Sequence, residues 1–142
     1  MKKVLIVATV PSMIGQFNMS NIKILQNMQY KVEVACNFKD KTVWDERRIS
    51  ELKEILNLKR VQFYQIDFIR NAFDIPRHFK AYKQLKKLVH RKKYEIIHCH
   101  TPIAAMIARI VAHQEKIKII YTAHGFHFFK GAPIKNWFLY YP

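Results

Sequence analysis

From Lys3 to Thr9 (KVLIVAT) the chain crosses an unbroken apolar, β-branched run and then meets Pro11 and Gly15, the pattern of a strand buried on both faces followed by a loop. From Asn18, with Asn18 or Ser20 as N-cap, the residues Ile22, Leu25 and Met28 recur at helical spacing. Tyr30 to Asn37 (YKVEVACN) predicts a second strand. Trp44 to Leu56 predicts an amphipathic helix that buries Ile49, Leu52 and Ile55 or Leu56, and residues 60–67 alternate again. A long helix over about Pro76 to Lys93 leads to a fourth strand, YEIIHCH, then to a small-residue helix over Pro102 to Gln114 and a fifth strand, KIKIIYTA. The closing KNWFLYYP starts like a helix. Strands that alternate with helices through short connections specify an α/β, Rossmann-like parallel sheet with right-handed crossovers and helices on both faces.

The 142 residues suit a single domain, and a hydrophobic content of 50% supplies a core and excludes a disordered tail. Against 25 Lys and Arg stand only 10 Asp and Glu, a net charge of +15 that favours a polyanionic neighbour. Cys36 and Cys99 each lie inside an apolar strand-like run, which reads as two buried free thiols and a reducing, cytoplasmic setting. The opening MKKVLIVATVP lacks the apolar region and small-residue cleavage site of a secretory signal, and no apolar run reaches the length of a membrane-spanning helix. Any membrane contact is expected to be peripheral.

In an open parallel sheet, ligands bind where loops leave the carboxyl ends of the strands. PSMIGQFN, HTP and HGFHFFKG follow the first, fourth and fifth strands, so three distant loops are expected to converge on one crevice. In the first, Gly15, beside Gln16, allows a phosphate or sugar to approach the backbone or serves as a turn residue. Neither GxGxxG nor GxxxxGK[ST] is present. His98 and His100 share a face of the fourth strand while Cys99 points away, and His124 and His127 follow the fifth. Three imidazoles suit a metal, but HExxH and a nearby carboxylate are missing, so a core or capping role and a metal-free ligand pocket stay open beside it. Gly125, Phe126 and Lys130 add close backbone approach, an aromatic wall and a cation, a set that suits a hydroxyl-rich substrate carrying phosphate. No serine or cysteine has the context of a nucleophile elbow.

From Arg77 to Lys93 there are eight Lys and Arg and no acid. On a helix, Lys80, Lys83, Lys87 and Arg91 group on one side and Tyr82, Leu85 and Val89 on the other, a core-packed helix with a basic outer face. That face is either simply solvated or drawn to anionic lipid head groups. Nucleic acid is not the expected partner, because no recognition motif or basic-aromatic platform accompanies the charge.

Through KVLIVATVPSMIGQFNMSNIKIL, YEIIHCHTPIAAMIARIVA and, most specifically, IIYTAHGFHFFKGAP, the chain resembles the amino-terminal half of a retaining glycosyltransferase of family four, with the two-domain GT-B fold. It looks most like bacterial enzymes of capsule and exopolysaccharide assembly. The resemblance implies that the chain, over residues 1–142, is the acceptor-side domain and ends before a carboxy-terminal domain that binds the nucleotide sugar. It further implies that His124 sits beside the transferred sugar as the catalytic residue, that Gly15 faces the donor phosphate, and that His100, Phe126, His127 and Lys130 shape the pocket. Such enzymes are metal-independent, so no cofactor is implied beyond the nucleotide-sugar substrate. The first loop departs from the pattern in having one glycine where many relatives have two or more.

The implied function is transfer of a hexose from a nucleotide-diphosphate sugar to a lipid-linked saccharide at the inner face of the cell membrane, which needs a carboxy-terminal donor-binding domain, either lost through truncation or supplied by another chain. The alternative is a non-catalytic basic scaffold at the membrane, or a truncated relic of such an enzyme.

Overall fold

The computed structural model describes residues 2–123 and the strand 136–140. Five strands, β1 (Lys3–Val7), β2 (Lys31–Cys36), β3 (Gln62–Gln65), β4 (Ile96–His100) and β5 (Lys118–Ala123), pair in parallel, and β6 (Asn136–Tyr140) adds an antiparallel edge. The order is β3-β2-β1-β4-β5-β6. The chain therefore builds outward from β1 to β3, returns, and builds outward again from β4, which leaves a switch point between β1 and β4.

The period-two alternation of the strands sorts their side chains onto two cores. Leu5, Val7, Ala35, Ile97, Cys99 and Ile119 face the helices α4 (Ile75–Lys92) and α5 (Pro102–Glu115), whose Leu85, Val89, Ala104, Ala108 and Val111 close that side. Ile6, Ala8, Val32, Val34 and Cys36 face α1 (Pro11–Phe17), α2 (Met19–Asn27) and α3 (Glu46–Leu58), which contribute Ile14, Ile22, Ile49, Leu52 and Leu56. Helices thus cover both faces, as expected from strands that read as continuous apolar runs. Both cysteines are buried free thiols.

Local signals set the helix starts. Asp45 caps α3 by accepting from the Arg48 N–H at 2.9 Å, and Asp74 caps α4 through the Arg77 N–H at 3.4 Å. Asn18 acts as a joint between α1 and α2: its Nδ2 donates to the Met13 carbonyl at 2.7 Å, and its Oδ1 accepts from Asn21 at 3.2 Å. Helices α4 and α5 both end on a residue in the left-handed conformation, Lys93 and Lys116.

Two sequence expectations are corrected. The stretch after β1 is not a loop: Pro11 opens α1 at its first position, where a missing N–H costs nothing, and Ile14 is buried beneath the helix. Gly15 is tolerated inside that helix because a Cβ there would lie 2.1 Å from Cη2 of Trp44, so the indole takes the place of a side chain. The closing aromatic stretch is not a helix either. Residues 136–140 run antiparallel along β5, Ala123 opposite Asn136 and Ile119 opposite Tyr140, and supply backbone partners to what would be the open edge of β5. Aromatic residues favour a pleated strand whenever such an edge is available.

One buried carboxylate lies within the sheet. Glu33 is fully buried and accepts the Tyr94 hydroxyl at 2.6 Å, with the Lys31 ammonium 3.7 Å away. Burial, reinforced by the hydrogen bond to Glu33, pushes the Tyr94 phenol well above its ordinary range, so it stays a donor.

Candidate functional site

The switch point between β1 and β4 opens into a cleft of about 490 Å³ at the carboxyl end of the sheet. Thr9, Val10, Ser12, Met13 and Gln16 enter it from the end of β1 and from α1. Thr101, Pro102 and Ile103 enter from the turn between β4 and α5. Val43 and Arg70 complete it from the connections that follow β2 and β3. Its walls are largely apolar and its polar groups few, which is the usual composition of a site that orients a small molecule.

The floor is held by a pair of hydroxyls. Thr9 and Thr101 meet at 2.6 Å, joining the ends of the two strands that flank the switch point. Thr101 also carries a φ of 79°, in the left-handed region that a β-branched residue rarely adopts, at a cost of about 1–3 kcal/mol. Its carbonyl accepts from the Ala105 N–H at 2.9 Å, starting α5. The strained backbone turns the chain sharply off β4 and brings the first residues of α5 to the cleft.

Beside this floor lie two imidazoles. His98 and His100 share one face of β4 with ring centroids 4.2 Å apart, while Cys99 joins the opposite core. His100 is fully buried, and His98 Nε2 lies 2.7 Å from Thr122 Oγ1 on β5. Burial pushes the Cys99 thiol up to about 12 and the Cys36 thiol well above its ordinary value, so neither acts as a nucleophile at neutral pH. Among the described residues no three of His, Cys, Asp and Glu form a group that could hold a metal.

Of the residues singled out in the sequence, Gln16 reaches the cleft, and His100 lies one residue before its strained threonine. Gly15 lines a smaller hollow of about 150 Å³ on the other side of α1, against Trp44, with Arg48 stacked 4.2 Å over the indole. His124, Gly125, Phe126, His127 and Lys130 lie outside the described residues. Ser12 and Thr101 lie in the PSMIGQFN and HTP segments expected at the crevice without being singled out there, and Thr9 and Arg70 lie outside those segments. For Thr101 the signal was the Thr-Pro step at a strand end, whereas Arg70 lies in a connection with no motif.

The basic side of α4 is as expected: Lys80, Lys83, Lys87 and Arg91 are exposed, while Leu85 and Val89 are buried. Tyr82 is half-buried and donates to Gln114 Oε1 at 2.7 Å, so it packs against α5. Lys80 lies 3.1 Å from Asp67. Hydrogen bonds from Gln65 and Gln84, with Lys80, hold the Asp67 carboxyl down at about 2. No described helix is long and apolar enough to cross a membrane.

A family model described as glycosyl transferase 4-like matches residues 3–142. EpsD of Bacillus subtilis (strain 168), whose name assigns glycosyltransferase activity provisionally, is 39% identical over 144 residues, covering 99% of this chain and 34% of the relative. The chain thus spans about a third of that relative's length. Among solved structures, MurG of Acinetobacter baumannii aligns with a TM-score of 0.64 at 15% identity, over 87% of this chain and 35% of that one. The zinc-inhibited form of the teicoplanin deacetylase Orf2 aligns with a TM-score of 0.68 at 8% identity, over 94% of this chain and 72% of that one. At such identities the likeness is one of fold, and a fold that also serves a deacetylase does not choose a chemistry. The family match and the relative at 39% identity show the family, and the chain belongs to the glycosyl transferase 4-like family.

Proposed function

We propose that this chain is the acceptor-side domain of a retaining hexosyltransferase, which moves a sugar from a nucleotide-diphosphate donor to a lipid-linked saccharide of capsule or exopolysaccharide assembly. The observation that carries this reading is the cleft at the β1/β4 switch point in a chain of this family. Apolar walls formed by Val10, Met13 and Ile103 suit sugar faces or lipid methylenes, and Ser12, Gln16 and Thr101 offer hydrogen bonds to hydroxyls. Arg70 supplies a cation at the same cleft, as a phosphate-linked acceptor requires.

In this reading, carried by the family resemblance, the donor domain closes over the cleft. His124 stands beside the transferred sugar, while His100, Gly125, Phe126, His127 and Lys130 shape its pocket and Gln16 lies toward the donor phosphate, Gly15 being turned to Trp44 on the other side of α1. Metal chemistry has no part in the step. The exposed cations Lys80, Lys83, Lys87 and Arg91 draw the domain to the anionic inner face of the cell membrane, each worth up to about 1 kcal/mol near the surface. Of the four, only Lys80 has a carboxylate within ion-pair reach among the described residues.

The test supplies a donor-binding domain, in cis or in trans, and follows labelled hexose from a set of nucleotide-diphosphate sugars into lipid-linked saccharides. Transfer that is lost in His124→Ala supports the reading. Absence of transfer from every donor, with the second domain present and folded, contradicts it and favours a scaffold.

A further inference from the structure

Large apolar side chains lie exposed where the chain enters α4. Phe73 is 91% exposed, Ile75 66% and Phe79 55%. This is not a frayed end. The Phe73 N–H donates to Asn71 Oδ1 at 3.0 Å, its carbonyl accepts from the Ile75 N–H at 3.0 Å, and His78 Nε2 lies 2.8 Å from the Asn71 carbonyl. Ile75 and Phe79, one helical turn apart, share a side of α4, whereas its core contacts come from His78, Ala81, Leu85, Leu88 and Val89. The helix itself is clamped to α5 by Lys86 and His90, both on Glu115. A fixed element therefore presents three large apolar groups to solvent.

Their surroundings identify the occupant. Between residues 68 and 94 the only acid is Asp74, and it is engaged in capping α4 and in pairing with Arg77 at 3.4 Å. Arg70, Arg77, Lys80 and Lys83 flank the apolar group in sequence and are exposed. The Lys83 ammonium stands 4.6 Å over the Phe79 ring, which in turn stacks on Tyr82 with centroids 5.9 Å apart. Apolar and aromatic tips ringed by cations match the boundary between anionic head groups and acyl chains. Arg70, three residues before Phe73, also lines the cleft, so tip and cleft lie at the same end of the sheet.

We propose that Phe73, Ile75 and Phe79 form a wedge that enters the acyl boundary of an anionic bilayer, with Arg70, Arg77 and Lys83 at the head-group phosphates. The cleft then opens at the membrane surface, where a lipid-linked acceptor lies. This rests on the membrane-facing reading above and adds depth and orientation to it, since a basic stripe alone gives attraction without insertion.

Vesicle co-sedimentation of the whole chain, on phosphatidylcholine vesicles with and without added phosphatidylglycerol, tests it. The changes Phe73→Ser, Ile75→Ser and Phe79→Ser together are expected to weaken binding to anionic vesicles about 30-fold or more, with an unchanged circular dichroism spectrum. Phe73→Trp is expected to shift its emission to the blue and to be quenched by lipids brominated on their acyl chains. Binding equal to wild type in the triple variant, with no quenching of Phe73→Trp, overturns the wedge and leaves the basic-face reading standing. A wild-type chain that ignores anionic vesicles overturns both. Loss of a dimer rather than of vesicle binding in the triple variant assigns the patch to a second copy and also overturns the wedge.

Discussion

The hydroxyls of Thr9 and Thr101, 92 residues apart in sequence, meet at 2.6 Å and tie β1 to β4 at the point where the sheet changes direction. The contact spans the floor of the cleft, and the backbone of Thr101 is strained at the same place. Thr9→Val removes one partner of a largely buried pair. It is expected to lower stability by about 1–2 kcal/mol in urea unfolding, and to reduce transfer further than that loss of folded protein accounts for. A variant with wild-type transfer at full folding would detach the threonine pair from the site.

Gly15 allows a prediction in which the sign changes with background. In an ordinary helix interior Gly→Ala stabilises by about 0.5–1 kcal/mol. Here the added methyl would meet the Trp44 ring at 2.1 Å, so overpacking wins, and Gly15→Ala is expected to cost about 1–3 kcal/mol. In a Trp44→Ala background the same change should become stabilising. Denaturant titrations of the four proteins of this cycle read the reversal directly.

Tyr94→Phe is expected to cost about 2–4 kcal/mol, because it strands the fully buried Glu33 carboxylate without its hydroxyl donor. Tyr94→Phe combined with Glu33→Leu should recover part of that loss by removing the buried charge. If the double variant is no more stable than Tyr94→Phe, the penalty does not arise from a stranded carboxylate.

Asp67 gives a pH dependence of known sign. Its carboxyl is held at about 2 against 3.8 for a free one, first by the Gln65 hydrogen bond and then by Gln84 and Lys80. Its contribution to stability is therefore complete above about pH 4 and is lost as the pH falls through about 2. The difference in thermal midpoint between wild type and Asp67→Asn should be constant from pH 5 to 7 and shrink between pH 4 and 2. A difference that stays flat down to pH 2 would show that the carboxylate does not hold the end of β3.

Much of the fold was legible in the sequence because its determinants are local and periodic. The five parallel strands read as apolar or alternating stretches such as KVLIVAT and RVQFYQID, and α4 announced itself through a proline near its start and a basic stripe opposite Leu85 and Val89. The misreadings have tertiary causes. Pro11 and Gly15 look like loop residues until Trp44, some thirty residues on, fills the space above the glycine. The aromatics of 136–140 suit a helix or a strand, and only the open edge of β5 decides between them. The site was legible to the extent that strand ends could be located, which brought Gln16 to the cleft, while His100 is fully buried in β4 beside it. The φ of Thr101 and the convergence of Arg70 on the cleft depend on the order β3-β2-β1-β4 in which the strands assemble, which no short stretch of sequence encodes.

The central claim is that the cleft between β1 and β4 holds the acceptor, and backbone amide chemical shifts of the labelled chain, titrated with a water-soluble short-chain lipid-phosphate saccharide, test it most directly. Occupancy of the cleft predicts saturable shifts at Ser12, Gln16, Arg70, Thr101 and Ile103, weakened in Gln16→Ala, with none at the Gly15–Trp44 hollow beyond those transmitted through α1. Shifts confined to the outer face of α4, or absent altogether with a saccharide that the complete enzyme extends, would contradict it.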